Sequence, residues 1–159
     1  MTHPVFKVGG ALIAEDAPAY IERSADIDSL RHLESMNYLL VIEPRQQGKT
    51  SLVNRMIGRI EPDRFAYVYV DVTSPNRTTE TTWYQTLSER ILGQLRFIRR
   101  NQWPNAPKDS YQWRNFLSEI ATLALERNRR IVVALDEIGA ISFPWATDFF
   151  SILRDVFNA

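Results

Sequence analysis

The amino-acid sequence predicts an α/β fold in which a mainly parallel sheet is covered by helices on both faces. Short, continuous apolar runs alternate with longer segments that carry apolar residues at helical spacing. Such runs are typical of strands buried on both faces, and their alternation with helices favours parallel pairing. The strands are predicted at residues 38–42, 66–72 and 131–135.

Helices are predicted between and after these runs. Their expected bounds are residues 25–35, 48–60, 79–99, 110–128 and 145–157. In the third helix, Trp83, Leu87 and Ile91 lie on one stripe, which Leu95 and Ile98 continue. Asp109 and Gln112 have the spacing of a capping box at the start of the fourth helix. Gly9-Gly10 predicts a turn before the first helix.

The composition is that of an ordinary globular domain and excludes several classes of function. The chain has 159 residues, of which 45% are apolar and 24% charged, so we expect one domain. It has no cysteine, which excludes disulfides, thiolate catalysis and cysteine-ligated zinc. The formal net charge is zero, which disfavours nucleic acid as a partner. With no apolar run of membrane-spanning length and no signal peptide, we expect no membrane association and a cytoplasmic location.

A phosphate-binding loop is predicted at residues 43–50, between the first strand and a helix. Its sequence, EPRQQGKT, matches the P-loop pattern except that Glu43 replaces the first glycine. Backbone N–H groups at the start of the helix would point at the phosphates. Lys49 would reach the β- and γ-phosphates, and the Thr50 hydroxyl would ligate Mg²⁺. The residues expected to contact the nucleotide are Gln46, Gln47, Gly48, Lys49, Thr50 and Ser51.

An acidic pair follows the third predicted strand. Asp136 and Glu137 come directly after the apolar run, and ligands bind at the carboxyl ends of parallel strands. Asp136 is predicted to hold Mg²⁺, and Glu137 to orient or deprotonate the attacking water. Asp71 ends the second strand, where capping of the following loop is favoured over a role near the metal.

The phosphate loop and the acidic strand together resemble the AAA-like ATPase domains of the STAND class of P-loop signalling NTPases. The lead-in at residues 6–23 and the Trp83-Tyr84 pair resemble those domains as well. The resemblance implies a three-layer P-loop sandwich that binds ATP and Mg²⁺ and hydrolyses ATP slowly to ADP and phosphate, as a switch in signalling or defence. It assigns Asp136 to the metal and Glu137 as the catalytic base, and places residues 20–23 near the base or ribose.

The domain is expected to be a single unit, with a lead-in and first helix at residues 1–36 and a nucleotide-binding core at residues 37–159. In the class that the acidic pair resembles, the next strand inserts between the acidic strand and the phosphate-loop strand. No such strand precedes Ala159, so we expect a domain incomplete at its C-terminal side. Further domains or protein partners are then expected beyond residue 159, and a nucleotide-dependent oligomer is compatible with this class.

Two other functions remain open from the sequence. A truncated paralogue would keep the fold as a non-catalytic nucleotide-binding or protein-interaction module. A DNA-associated P-loop ATPase is disfavoured by the zero net charge. Hydrolysis that depends on Glu137 separates the first alternative from an ATPase.

Overall fold

A computed structural model of the chain describes residues 21–37, 39–41, 48–73 and 79–158. Within these ranges it contains five α-helices and two β-strands. The helices are α1 (Ser24–Glu34), α2 (Lys49–Ile57), α3 (Glu80–Gln94), α4 (Ser110–Leu125) and α5 (Ala146–Asn158), and the strands are β1 (Phe65–Asp71) and β2 (Arg130–Asp136). No helix in the described part of the chain is both long and apolar enough to cross a membrane.

The chain divides into two compact units, Met1–Glu61 and Pro62–Ala159. In the first unit α1 packs against α2. The buried side chains of α2, Leu52 and Met56, recur at the spacing of one helical face. The second unit holds both strands and the three remaining helices.

The two strands of the second unit form a parallel pair. The register runs without a shift from Phe65 opposite Arg130 to Asp71 opposite Asp136. Parallel neighbours need a long crossover connection, and here α3 and α4 supply it. The prediction of an α/β fold with parallel pairing is therefore confirmed.

An aromatic core covers one face of this sheet. Val68 and Val70 of β1 point into it, and Trp83 and Tyr84 at the start of α3 are fully buried. The Phe149 ring of α5 packs edge-on against Trp83, with ring centroids 4.9 Å apart. Side chains of α3, α4 and α5 therefore pack together on the face of the sheet that carries Val68 and Val70. The remaining members of the core are Ala66, Leu87, Ile91, Leu92, Leu95, Ile98, Trp113, Phe116 and Ile120.

The opposite face of the sheet is more polar. Tyr67, Tyr69 and Asp71 alternate with the buried valines of β1 and are half-buried. Strand side chains alternate between faces, so the β2 residues opposite them, including Asp136, share this face. We call it the tyrosine face.

The two edges of the sheet differ. On β1, the backbone N–H of Tyr69 donates to the Gln94 side-chain oxygen (3.1 Å), and the Gln94 amide donates to the Tyr69 carbonyl (2.9 Å). The α3 side chain thus caps the side of β1 that faces away from β2. On β2, the backbone N–H of Arg130 donates to Arg64 O, and the backbone carbonyl of Asp136 accepts from Val72 N. The backbone groups of Arg130 and Asp136 therefore point toward β1.

The backbone groups of Ile131, Val133 and Leu135 therefore point away from β1, because successive residues of a strand alternate in direction. We call these groups the outer edge of β2. No described residue forms a ladder with this edge, and every β2 residue after Arg130 is only half-buried. The sequence predicted a strand buried on both faces, whereas the described part of the chain leaves β2 half-buried, with β1 as its one strand neighbour there.

Two predicted elements differ from the structure. Leu39, Leu40 and Val41 lie outside any strand, and Leu40 is 49% exposed; Tyr38 and Ile42 fall outside the described residues. An apolar run does not specify a hydrogen-bonding neighbour, and in the described residues β1 and β2 pair with each other. The helix predicted at residues 79–99 ends at Gln94, because the backbone of Leu95 leaves the helical conformation with ψ 68°. The Leu95 and Ile98 side chains are nevertheless buried, as the predicted stripe requires.

The bounds of the other predicted helices agree with the structure within a few residues. Asp109 accepts from the N–H of Gln112 at 2.8 Å, which confirms the capping residue predicted for α4. Only two strands are described, so the three-layer P-loop sandwich stays a prediction, as does the division into residues 1–36 and 37–159.

Candidate functional site

The phosphate half of the candidate site is the start of α2. Gly48 precedes the helix with φ 82° and ψ 19°, in the left-handed region. For a residue with a side chain this conformation costs about 1–2 kcal/mol. Among the described residues, the one atom that a Cβ on residue 48 would approach is Arg23 Nη2, at 4.0 Å. Backbone conformation, and not crowding, is therefore what favours glycine here.

Lys49, Thr50 and Ser51 form the first turn of α2. The first helical hydrogen bond runs from Leu52 N to Gly48 O, at 2.8 Å. The three preceding N–H groups therefore point toward the helix N-terminus, where the helix dipole favours an anion. Lys49 and Thr50 are half-buried and Ser51 is 7% exposed. The structure thus brings these three predicted residues together with Gly48, whereas Gln46 and Gln47 fall outside the described residues.

Arg23 lies beside this turn and is held by a buried carboxylate. The backbone N–H of Arg23 donates to Asp26 Oδ2 at 2.7 Å, and the guanidinium Nε of Arg23 lies 3.6 Å from the same oxygen. Asp26 is 2% exposed and sits at the third position of α1, where a carboxylate caps the preceding N–H. The lead-in segment that the resemblance placed near the nucleotide therefore ends next to Gly48.

The acidic half of the candidate site is the carboxyl end of the sheet. Asp71 and Asp136 face each other in the strand register. Asp71 Oδ1 accepts from the N–H of Thr73 (2.7 Å) and from its hydroxyl (2.6 Å). These bonds confirm the prediction that Asp71 caps the loop after β1.

Asp136 is held at both carboxylate oxygens. Its Oδ1 accepts from the Glu137 N–H at 2.8 Å, and its Oδ2 accepts a hydrogen bond from the Tyr69 hydroxyl. Burial raises the pKa of Tyr69, and the hydrogen bond to Asp136 raises it further. The Tyr69 hydroxyl is therefore protonated at neutral pH and acts as the donor.

Glu137 occupies a strained backbone position. It has φ 57° and ψ 28°, in the left-handed region, and it precedes a single turn of 3₁₀ helix, Ile138–Ala140. Its carbonyl accepts from Ala140 N at 2.9 Å, and its side chain is exposed. Residues held in this way cluster at functional sites, and an exposed carboxylate can contact a water molecule.

The sequence reasoning did not identify Tyr69. The signal was present, because Tyr67, Tyr69 and Asp71 recur at intervals of two in a strand that ends in a carboxylate. That pattern places the three side chains on one face. It does not reveal that the Tyr69 hydroxyl reaches Asp136, 67 positions further along the chain.

The two halves lie in different compact units. Among the described residues, no group of three or more His, Asp or Glu side chains forms a metal cage. Nucleotide-bound Mg²⁺ is usually held by phosphates, waters and one or two protein oxygens, and does not need such a cage.

The parallel sheet with carboxylates at its carboxyl end is that of an α/β protein, and a helix elsewhere in the chain begins at a left-handed Gly-Lys-Thr turn. The sequence model of the AAA-like domain matches residues 9–159. The chain belongs to the AAA-like domain family, and this membership indicates nucleotide binding.

A relative from Synechocystis sp. (strain ATCC 27184 / PCC 6803 / Kazusa) is described as an uncharacterized WD repeat-containing protein. It is 28% identical to this chain over 161 residues, an alignment that covers 96% of this chain and 13% of the relative. The chain thus spans about one eighth of the length of that protein. No solved structure matches the chain.

The strain at Glu137 can be measured by comparing glycine with alanine at this position. We expect Glu137→Gly to be more stable than Glu137→Ala by about 0.5–1 kcal/mol, because glycine avoids the left-handed penalty. Urea unfolding followed by tryptophan fluorescence measures the difference. The matched control is the same pair at Glu119, an exposed position within α4, where alanine should be the more stable by about 1 kcal/mol. Alanine equal to or more stable than glycine at position 137 would show that the backbone there is not strained.

Proposed function

We propose that this chain is a Mg-ATP-binding P-loop ATPase domain of the STAND class, which acts as a nucleotide-dependent switch in a signalling or defence protein. The observation that carries the proposal is Gly48 in the left-handed conformation directly before Lys49 and Thr50. A backbone turn of this kind aims consecutive N–H groups at one point, which suits the oxygens of a phosphate.

In the proposed complex, the first turn of α2 binds the phosphates. Lys49 supplies a compact positive charge to the β- and γ-phosphates, and the Thr50 hydroxyl is a ligand of Mg²⁺. Ser51 adds its backbone N–H, as do Gln46 and Gln47 in the preceding loop. The first turn of α2 carries no acidic side chain.

The carboxyl end of β2 is proposed to supply the metal and water chemistry. Asp136 would accept hydrogen bonds from water ligands of the Mg²⁺, and Glu137 would act as the base for the attacking water. When bound, Mg²⁺ neutralises charge that develops on the phosphate oxygens. The exposed position of Glu137 supports contact with water.

We further propose that the outer edge of β2 is filled by another strand, contributed by residues beyond 159 in a longer protein. The support is the contrast between the two edges: Gln94 caps β1, whereas no described residue pairs with Ile131, Val133 or Leu135. Uncapped edges are aggregation hazards that natural sheets cover or block. The much greater length of the WD repeat-containing relative is compatible with such a chain.

Replacing Lys49 tests the phosphate half. We expect Lys49→Ala to weaken Mg-ATP binding about ten- to a hundredfold, because a charge-assisted hydrogen bond contributes roughly 1.5–3 kcal/mol. Isothermal titration calorimetry measures the affinity. The matched control is Lys108→Ala, because Lys108 is an exposed lysine in the loop before α4 and should leave the affinity unchanged. Equal affinity in Lys49→Ala and the wild type would refute the assignment.

Replacing Glu137 separates binding from hydrolysis. We expect Glu137→Gln to retain ATP and to lose turnover by about 10²–10⁴-fold, because the amide cannot accept the proton. Phosphate release by the full-length protein measures turnover, and Glu119→Gln on the exposed surface of α4 is the control. Turnover of Glu137→Gln at the wild-type rate would show that Glu137 is not the base. A wild-type protein that binds ATP without any turnover would instead favour the non-catalytic nucleotide-binding module.

A further inference from the structure

Tyr69 contributes a contact that the phosphate-loop and acidic-pair motifs do not include. The Tyr69 hydroxyl donates a hydrogen bond to Asp136 Oδ2, and the backbone N–H of Glu137 donates one to Asp136 Oδ1. Each carboxylate oxygen accepts about two hydrogen bonds, so each retains one further acceptor position. The two donors hold the carboxylate in one orientation. Each of its oxygens can still accept one further hydrogen bond.

The backbone of Tyr69 is itself fixed. The Gln94 side-chain amide makes two hydrogen bonds to the Tyr69 N–H and carbonyl, and its Nε2 also donates to Arg90 O at 3.1 Å. These bonds join the middle of β1 to the last turn of α3. The hydroxyl therefore extends from a backbone that is held on one side by β2 and on the other by α3.

The strand register explains how Tyr69 reaches Asp136. Tyr69 lies opposite Ala134, whose methyl group leaves space beside it on the tyrosine face. Asp136 is two residues further along β2, a distance of about 6.6 Å along the strand. A tyrosine side chain is long enough to span this distance, whereas a shorter polar side chain at residue 69 would not reach the carboxylate.

We propose that Tyr69 is a positioning residue for magnesium: its hydroxyl holds the Asp136 carboxylate in the orientation in which it accepts from the water ligands of nucleotide-bound Mg²⁺. This inference rests on the proposed Mg-ATP-binding function. Nucleotide-bound Mg²⁺ would keep several of its waters, and these would donate hydrogen bonds to the Asp136 carboxylate. A carboxylate that is oriented in advance accepts from those waters without first losing rotational freedom.

The sequence provides a matched pair of variants to test this role. Tyr69→Phe removes the hydroxyl that donates to Asp136. Tyr67→Phe removes a hydroxyl from the same strand and the same face, and the Tyr67 oxygen is buried without a hydrogen-bond partner among the described residues. The two variants thus remove the same atom, and differ in whether that atom contacts Asp136.

The measurement is ATP affinity by calorimetry, in excess Mg²⁺ and in EDTA, for the full chain and each variant. We expect Tyr69→Phe to reduce the affinity in Mg²⁺ about tenfold and to leave the affinity in EDTA unchanged. The Mg²⁺ concentration at half-saturation should rise correspondingly. Tyr67→Phe should match the wild type in both conditions. Far-ultraviolet circular dichroism of each variant confirms that it is folded.

A double-mutant cycle identifies the residue through which Tyr69 acts. In an Asp136→Ala background the Mg²⁺-dependent effect of Tyr69→Phe should disappear, because residue 136 then has no side-chain oxygen to accept from the Tyr69 hydroxyl or from a water ligand. An effect of the same size in both backgrounds would overturn the inference, since Tyr69 would then act independently of Asp136.

The other outcomes are equally decisive. Unchanged affinity of Tyr69→Phe in Mg²⁺, with a clear Mg²⁺ effect in the wild type, overturns the inference and leaves the proposed function intact. Tighter binding in Mg²⁺ also overturns it, because the hydroxyl would then compete with the ion's waters for the carboxylate. A wild-type chain with no Mg²⁺-dependent ATP binding overturns the proposed function, and this inference with it.

Discussion

The parallel pairing of β1 with β2 is the constraint on which the second unit depends. Because the register is unshifted, Asp71 and Asp136 end their strands side by side, and Tyr69 lies within reach of Asp136. Parallel strands also require a long connection, and α3 and α4 supply it while burying the aromatic core on one face. A shift of one residue would exchange the two faces of β2 and move Asp136 away from Tyr69.

Gly48 and Glu137 both adopt the left-handed backbone conformation, one without a side chain and the other with one. Gly48 adopts this conformation without a steric penalty, because it has no Cβ. Glu137 adopts it despite its side chain, immediately after the carboxylate that its own N–H orients. A glycine at residue 137 would relieve the strain but remove the exposed carboxylate, so the strain is consistent with a chemical role for Glu137.

Local sequence patterns predicted most elements but not their long-range hydrogen bonds. The β1 and β2 strands, α4 and its Asp109 cap follow from apolar runs and capping-box spacing within a few residues. The Gln94 cap on β1 and the Tyr69 contact with Asp136 join residues 25 and 67 positions apart, and no local pattern encodes them. The strand predicted at residues 38–42 rests on a continuous apolar run, and such a run does not specify which strand it pairs with.

Pairing with β1 on one side leaves the outer edge of β2 without a ladder partner among the described residues, and the proposed further strand would cover this edge. Amide hydrogen exchange measured by NMR on the 159-residue chain tests this pairing directly. We expect slow exchange at Val132 and Ala134, whose N–H groups point toward β1, and fast exchange at Ile131 and Val133. In a longer protein that supplies the strand, all four should exchange slowly. Equal, strong protection of all four amides in the 159-residue chain would show that the outer edge of β2 is already paired.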